Sequence, residues 1–259
     1  MQVAREIVRR ARAIRHAELP DEVRALARQC VLDMLGVALA GAGDPLVRIL
    51  AAELEEQGGA PVAGVVGLKL RLPALSAALL NGTIAHALDY DDVNLAMPGH
   101  PSVAVLPAVL ALAEERGSSG AALIEAFVAG YETACRVGRL IAPGHYDGLG
   151  FHATGTVGTF GAAAGCAHLL GLDEEATLHA MGIAATQAAG LKSMFGNMYK
   201  PLHAGRAAQA GLLAARLAAR GFTAQLDSYS DALVQDPVLA SLHARTTVEF
   251  QAGWPPPER

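Results

Sequence analysis

This chain of 259 residues predicts an all-α, multi-helix domain, and three observations lead there. Hydrophobic residues make up 52% of it but aromatic residues only 5%, so alanine supplies much of the apolar content, and alanine is the best helix former. Apolar residues recur at i, i+3, i+4 spacing, as at Val23, Leu26, Ala27, Cys30, Val31 and Met34. Strand-like alternation is confined to short stretches.

Residues 2–17 and 20–42 read as the first two helices, the second opened by Pro20-Asp21 and ended by Gly41 and Gly43. A helix over 45–57 stops at Gly58-Gly59, and residues 61–72 alternate weakly, as a short hairpin or extended loop would. A helix over 73–88 delivers His86 and Asp89 near its C-terminal end, and a loop over 90–101, closed by Gly99 and Pro101, follows. Further helices are expected over 102–116, 119–140, 152–170, 173–189 and 202–220, with a turn-rich loop over 142–151. Gly155, Gly158, Gly161 and Gly165 fall inside one of them. A helical glycine costs about 0.5–1 kcal/mol relative to alanine, so these four argue for close approach by another helix or a ligand. The pattern changes near residue 224, where a short helix over 230–243, a strand-like piece over 246–250 and a proline-rich end remain. A lone strand forms no stable sheet. Residues 224–259 are therefore expected as a short irregular C-terminal tail, separate from a helical domain over 1–223. That tail should be poorly packed or borrowed by a partner.

Composition narrows the function classes. The net charge is −5, the isoelectric point is near 6.0 and no basic patch exists, so no nucleic-acid partner is expected. The longest uncharged run, 148–172, holds two histidines and many glycines, so no membrane span is expected. Cys30, Cys135 and Cys166 lack Cys-x-x-Cys spacing, and the N-terminus lacks an apolar signal core; a reducing cytoplasm fits both. No glycine-rich loop follows a strand and no Gly-x-Ser-x-Gly occurs, so neither a dinucleotide fold nor a hydrolase elbow is supported.

The chemistry-bearing residues concentrate in one stretch. His86, Asp89, Asp91, Asp92 and His100 lie within fifteen residues, flanked by apolar helices, in a chain with 17% charged residues. Acid groups at a buried helix junction need partners or a ligand. Three further clusters sit at helix ends or in loops: His145, Tyr146 and Asp147 with His152; Lys192; and Lys200 with His203 and Arg206. Only three of the 20 basic residues are lysine, and Lys192 and Lys200 bracket Ser-Met-Phe-Gly-Asn-Met-Tyr. Imidazole suits proton transfer near neutral pH, and lysine suits carboxylate binding. Together they describe a site for a small anion, with His100 and His152 as acid and base, Asp89 orienting one of them, and Lys200, His203 and Lys192 as substrate-binding residues. Plainer readings stand beside each: Asp89 in a local turn, Asp91 and Asp92 solvated, His100 bonded to backbone, His152 and His203 as core histidines. His168, His179 and His243 read as structural or exposed. The Asp/His spacing matches no standard metal site, so no metal is expected.

Several stretches resemble the MmgE/PrpD family of 2-methylcitrate dehydratases and cis-aconitate decarboxylases. They are Asn81-Gly-Thr-Ile-Ala-His-Ala-Leu-Asp-Tyr-Asp-Asp, Gly99-His-Pro-Ser-Val-Ala-Val-Leu-Pro-Ala, Gly130-Tyr-Glu, Gly150-Phe-His-Ala-Thr-Gly-Thr-Val-Gly-Thr-Phe-Gly-Ala-Ala, Ala185-Thr-Gln-Ala-Ala-Gly-Leu and Lys200-Pro-Leu-His-Ala-Gly-Arg-Ala-Ala, in family order. The resemblance implies the family's large helical domain, a homodimer, and chemistry on small di- or tricarboxylates without a cofactor. By motif, Asp89, His100, His152 and Lys200 match its pocket positions. Val93 stands where the family commonly has threonine. Family members continue into a smaller α/β lid domain that carries further catalytic residues, and Asp236 to Glu249 loosely resembles a piece of it. A truncated chain is therefore expected, with two functional readings: a dehydratase or decarboxylase, or an inactive helical remnant that binds a carboxylate or serves as a dimerisation subunit.

Overall fold

The computed structural model describes residues 2–141 and 144–225. The tail over 226–259, with its expected helix, strand and lack of packing, lies outside the described residues. Nine α-helices run α1 Gln2–Ala13, α2 Asp21–Gly41, α3 Pro45–Gln57, α4 Ala74–Ala85, α5 Pro101–Arg116, α6 Gly120–Ile141, α7 Ala153–Leu169, α8 Glu174–Ala185 and α9 Tyr199–Ala218 among these residues. A two-residue hairpin, β1 Ala63–Gly64 and β2 Arg71–Leu72, pairs Ala63 with Leu72 and Gly64 with Arg71. Asn81 of α4 pins it, accepting from Val66 N at 2.8 Å and donating to Gly64 O at 2.9 Å. The all-α reading holds.

Helix ends follow local chemistry. Asp44 caps α3 by accepting from Leu46 N, with Pro45 in the first turn. Asp173 caps α8 the same way through Ala176 N. Four boundaries differ from expectation by three residues or more. α4 ends at Ala85 rather than 88, so His86 caps it and Asp89 lies in the turn beyond. The first helix stops at Ala13, because Arg15 is extended and His16–Glu18 form a separate 3-10 turn. α9 starts at Tyr199 rather than 202, which places Pro201 in its first turn, where a missing N–H is harmless. α8 ends at Ala185 rather than 189, which frees the chain before Gly190 to meet the start of α7.

The centre of the molecule is α7, where every residue from Ala153 to Ala167 is buried. It packs against α5, α6, α8 and α9, and α4 lies across α5 and α9. The glycines face helices, as one of the two sequence readings had it. A Cβ at Gly158 would lie 2.5 Å from Ala104 Cβ of α5, and one at Gly161 would lie 2.8 Å from Gly130 O of α6. The tightest crossing is α4 on α9, where a Cβ at Gly205 would run into Leu79 O and Thr83 Oγ1. The apolar residues of α7 and α9 are thus spent on this chain's own core. Exposed large apolar side chains include Leu32 and Leu39 of α2, Ile49 of α3, and Tyr90, Val93 and Leu95 of the loop after α4. No single described helix is long and apolar enough to cross a membrane.

Candidate active site

The site forms where α4 ends, α5 and α7 begin, and α9 begins. α4 gives way at His86, and the chain turns through Asp89, the one non-glycine residue at positive φ (+53°) among the described residues. Aspartate tolerates this left-handed conformation better than most residues, and such outliers gather at functional sites. Beyond it, Asn94 pairs with Gly99 to close the loop, and His100 N donates to Thr154 Oγ1 of α7 at 3.1 Å. A Cβ at Gly99 would lie 2.9 Å from that hydroxyl, so glycine lets the loop settle onto α7.

Asp91 and Asp92 are adjacent and face opposite tasks. Asp92 accepts from Ser102 N at 3.2 Å and Ser102 Oγ at 2.8 Å, capping α5 from outside the helix. Burial raises its pKa, outweighing those bonds. Asp91 instead meets two imidazoles. Its carboxylate lies 2.9–3.0 Å from His86 Nδ1 and 3.0 Å from His100 Nδ1. Burial alone would raise the Asp91 pKa, but the bonds and charges of His100 and His86 hold it well below the usual carboxylate range. Burial pulls His100 down, yet the close Asp91 carboxylate, and then Asp89, carry it above its ordinary value.

Lys200 is buried and its ammonium pairs with Asp89. His100 Nε2 lies 3.5 Å from the same Asp89 oxygen. Burial would raise the Asp89 pKa, but the bond and charge of Lys200 lower it overall. His152 begins α7, where its N–H donates to Gly190 O at 3.0 Å. Its Nδ1 lies 3.0 Å from His203 Nδ1. One proton bridges two such nitrogens, so at least one of the rings is neutral with a bare Nδ1. Burial first, then His86, His203 and Lys200, push His152 down to about 2. His203 is lowered by burial first, then by His86 and Lys200. His86 stacks on His152 at 5.7 Å and meets His100 edge-on at 4.7 Å. Phe195 stands edge-on to His152 at 4.9 Å and lies 5.3 Å from Lys200 Nζ, giving one apolar wall.

Four of the six expected site residues, Asp89, His100, His152 and Lys200, thus gather around His86. The other two behave differently. His203 turns Nδ1 to His152 rather than standing free for a ligand. Lys192 donates to Tyr146 O at 3.2 Å and lies over the Tyr146 ring, so its ammonium is engaged in the 144–148 turn. Arg206 is exposed and pairs with Gln209. His145 bonds Thr156 Oγ1 at 2.6 Å. His168 pairs with Glu125 at 2.7 Å and His179 with Ala224 O, structural roles as expected; His243 lies outside the described residues. The expected assignment missed two residues, His86 and Asp91, which stand in the motif that carried the reading. Their signal was an acid flanked on both sides by histidines and apolar helices. By spacing alone, His86, Asp89, Asp91 and His100 place ligand atoms within 4.8 Å of one another. The Lys200 ammonium already supplies positive charge there and would repel a metal ion.

Residues 5–232 match the MmgE/PrpD N-terminal domain family. The chain is 34% identical over 230 residues to a cis-aconitate decarboxylase of Aspergillus terreus, covering 86% of this chain and 46% of that protein. It is 33% identical over 209 residues to human cis-aconitate decarboxylase, covering 78% and 43%. A cis-aconitate decarboxylase-like protein, oryM, of Aspergillus oryzae is 32% identical over 217 residues, covering 81% and 45%. The chain thus spans less than half the length of these curated relatives. A helical fold built around this histidine–aspartate corner, together with that match, makes the chain a member of the MmgE/PrpD family through its N-terminal domain.

Proposed function

We propose that this chain carries the acid–base half of a lyase site for small di- or tricarboxylates, of the kind that loses carbon dioxide or water. The observation that carries the reading is a split between two imidazoles on either side of His86. His100, with the Asp91 carboxylate 3.0 Å from its Nδ1 and Asp89 beside its Nε2, is shifted above its ordinary value; His152, buried against other rings, is shifted well below it. Environments that push paired groups apart in pKa assign acid and base roles. Lys200 takes a substrate carboxylate, for which Asp89 is its resident counter-ion. In decarboxylation, the bond to the departing carboxylate breaks, its electron pair stays on carbon, and His100 Nε2–H supplies the replacing proton. In dehydration, His152 takes the proton α to a carboxylate, the electron pair forms the double bond, and His100 protonates the leaving hydroxide. Neither route needs a redox cofactor, and the reading includes none.

A second reading has its own support. The Asp89 side chain is 57% exposed, and Tyr90 and Leu95 beside it are more than 80% exposed, so one side of the site stands open to water. A chain that binds a carboxylate without turning it over fits that openness. Incubation with cis-aconitate, 2-methylcitrate and citrate, followed by alkene absorbance, separates the two. Lys200→Ala should weaken binding about 10–100-fold, the value of a charged hydrogen bond of about 1.5–3 kcal/mol. Turnover lost on His100→Ala supports the enzyme; binding without turnover supports the remnant; neither binding nor turnover overturns both. The proposal also keeps a cytoplasmic homodimer, checked by a light-scattering mass of twice 26.7 kDa.

A further inference from the structure

Asp91 and His86 are the most deeply buried polar pair at the site, at 5% and 0% exposure, and neither faces open solvent. A carboxylate offers only acceptors, so the His86 nitrogen facing it must carry the proton. The opposite nitrogen, His86 Nε2, is buried with no hydrogen-bond partner. Placing the proton there would orphan an N–H and set a bare lone pair against an anion, each unfavourable in a buried setting. His86 is therefore the Nδ1–H tautomer, and burial keeps it from charging. Its ring is then fixed, and both His100 and His152 pack on it. His100 joins the same carboxylate through Nδ1 at 3.0 Å, a close ion pair not aligned as a hydrogen bond in the free chain. Its Nε2 consequently faces Asp89 and Lys200.

We propose that Asp91, braced by His86, is a positioning residue: it fixes the orientation and the Nδ1–H tautomer of His100, so that Nε2 is the nitrogen presented to substrate. This rests on the acid role given to His100 above, but the arrangement itself does not. The sequence-based expectation gave the orienting task to Asp89. The structure gives Asp89 to Lys200 and the task to Asp91, two residues on. Asp89 can swing with a ligand because it is half exposed; Asp91 cannot.

The groups facing His100 are Asp89 and Asp91 from the loop, His86 from the end of α4, and Lys200 from α9, with His152 behind His86. Nitrogen-15 NMR of the histidine rings in the whole chain tests the proposal without any need for turnover. In the unsubstituted protein, His86 and His100 should both show a protonated Nδ1. Asp91→Asn should lower the His100 pKa by about one unit or more, the effect of removing an adjacent opposite charge. Asp89→Asn, which leaves Asp91 in place, should lower it less. Asp91→Glu keeps the charge and should restore most of the shift. Equal effects of Asp89→Asn and Asp91→Asn would overturn the proposal. So would a His100 protonated only at Nε2 in the unsubstituted chain, a result that holds even if Asp91→Asn fails to fold. If turnover is found, Asp91→Asn should lower kcat more than it raises KM. Absence of turnover would sink the lyase reading and leave the ring titrations to decide this one.

Discussion

Two neighbouring parts of this molecule are held by opposite means. Where α4, α7 and α9 cross, the chain uses shape: Gly82 and Gly205 come so close that a Cβ on Gly82 would lie 2.8 Å from the Gly205 Cα. Just past the end of α4, the 86–102 corner uses charge, with Asp91 paired to His86 and His100, and Asp89 paired to Lys200. Shape tolerates no addition, because interiors are close-packed and surrounding backbone cannot yield. Charge tolerates substitution by volume but not by protonation state. The two are linked, since the tight crossing sets where His86 and Lys200 stand. A rigid apolar seam thus serves as the jig for a polar site.

That contrast can be broken most violently at the seam. Gly205→Leu should destabilise by about 3 kcal/mol or more, the upper range for overpacking. Thermal unfolding should then fall by about 6–12 °C for a domain of this size, and a melting point within 2 °C of the parent would show that the crossing can relax. At the corner, His152→Ala is expected to lower turnover about 10²–10⁴-fold. The change also costs stability: His152 is 2% exposed and partners His203, so it strands a buried nitrogen, at about 1–3 kcal/mol. His152→Gln, which keeps a polar atom, should recover stability without recovering turnover.

Acid sharpens the comparison further. His86, His145, His152 and His203 all have folded pKa values below their ordinary value, with burial as the largest cause. Below about pH 6.5 the unfolded chain binds protons that the folded chain refuses. Each such group favours folding above that pH, and its contribution is lost as the pH falls. His100 acts in the opposite sense: its raised value adds stability below about pH 6.5, lost as pH rises through the folded value. Four histidines against one predict a melting temperature that drops from pH 7 to pH 5, a fall opposed by Asp92 and Glu132, whose carboxyls burial raises. A flat profile would mean that water reaches these rings. The smallest expected effect is Val93→Thr. Val93 is 61% exposed, so stability should change by less than about 0.5 kcal/mol, and any larger change in turnover would show that this rim touches substrate.

Much of this was legible in the chain itself. α3 was read to the residue, and the remaining helices mostly to within a few residues, because capping aspartates, prolines in first turns and glycines at ends act locally. The motif His86 to His100 was legible as a candidate site because three carboxylates lie between apolar helices and need partners. The division of labour inside it was not. Asp91 and Asp92 are adjacent and identical in type, yet one meets two imidazoles and the other caps α5.

The sequence by itself determined the helices, the apolar interior and the residues from which a site is drawn, since propensity, periodicity and end signals depend on neighbours within a turn or two. Only the tertiary structure decided which acid holds which base. His86 and Asp91 meet across the end of a helix, His152 and His203 across 51 residues, and Asp89 and Lys200 across more than a hundred. Their burial, and hence their charge state, is set by helices that the local pattern names but cannot place. Protonation depends on that burial and those partners, and so the chemistry belongs to the packing of α4, α7 and α9.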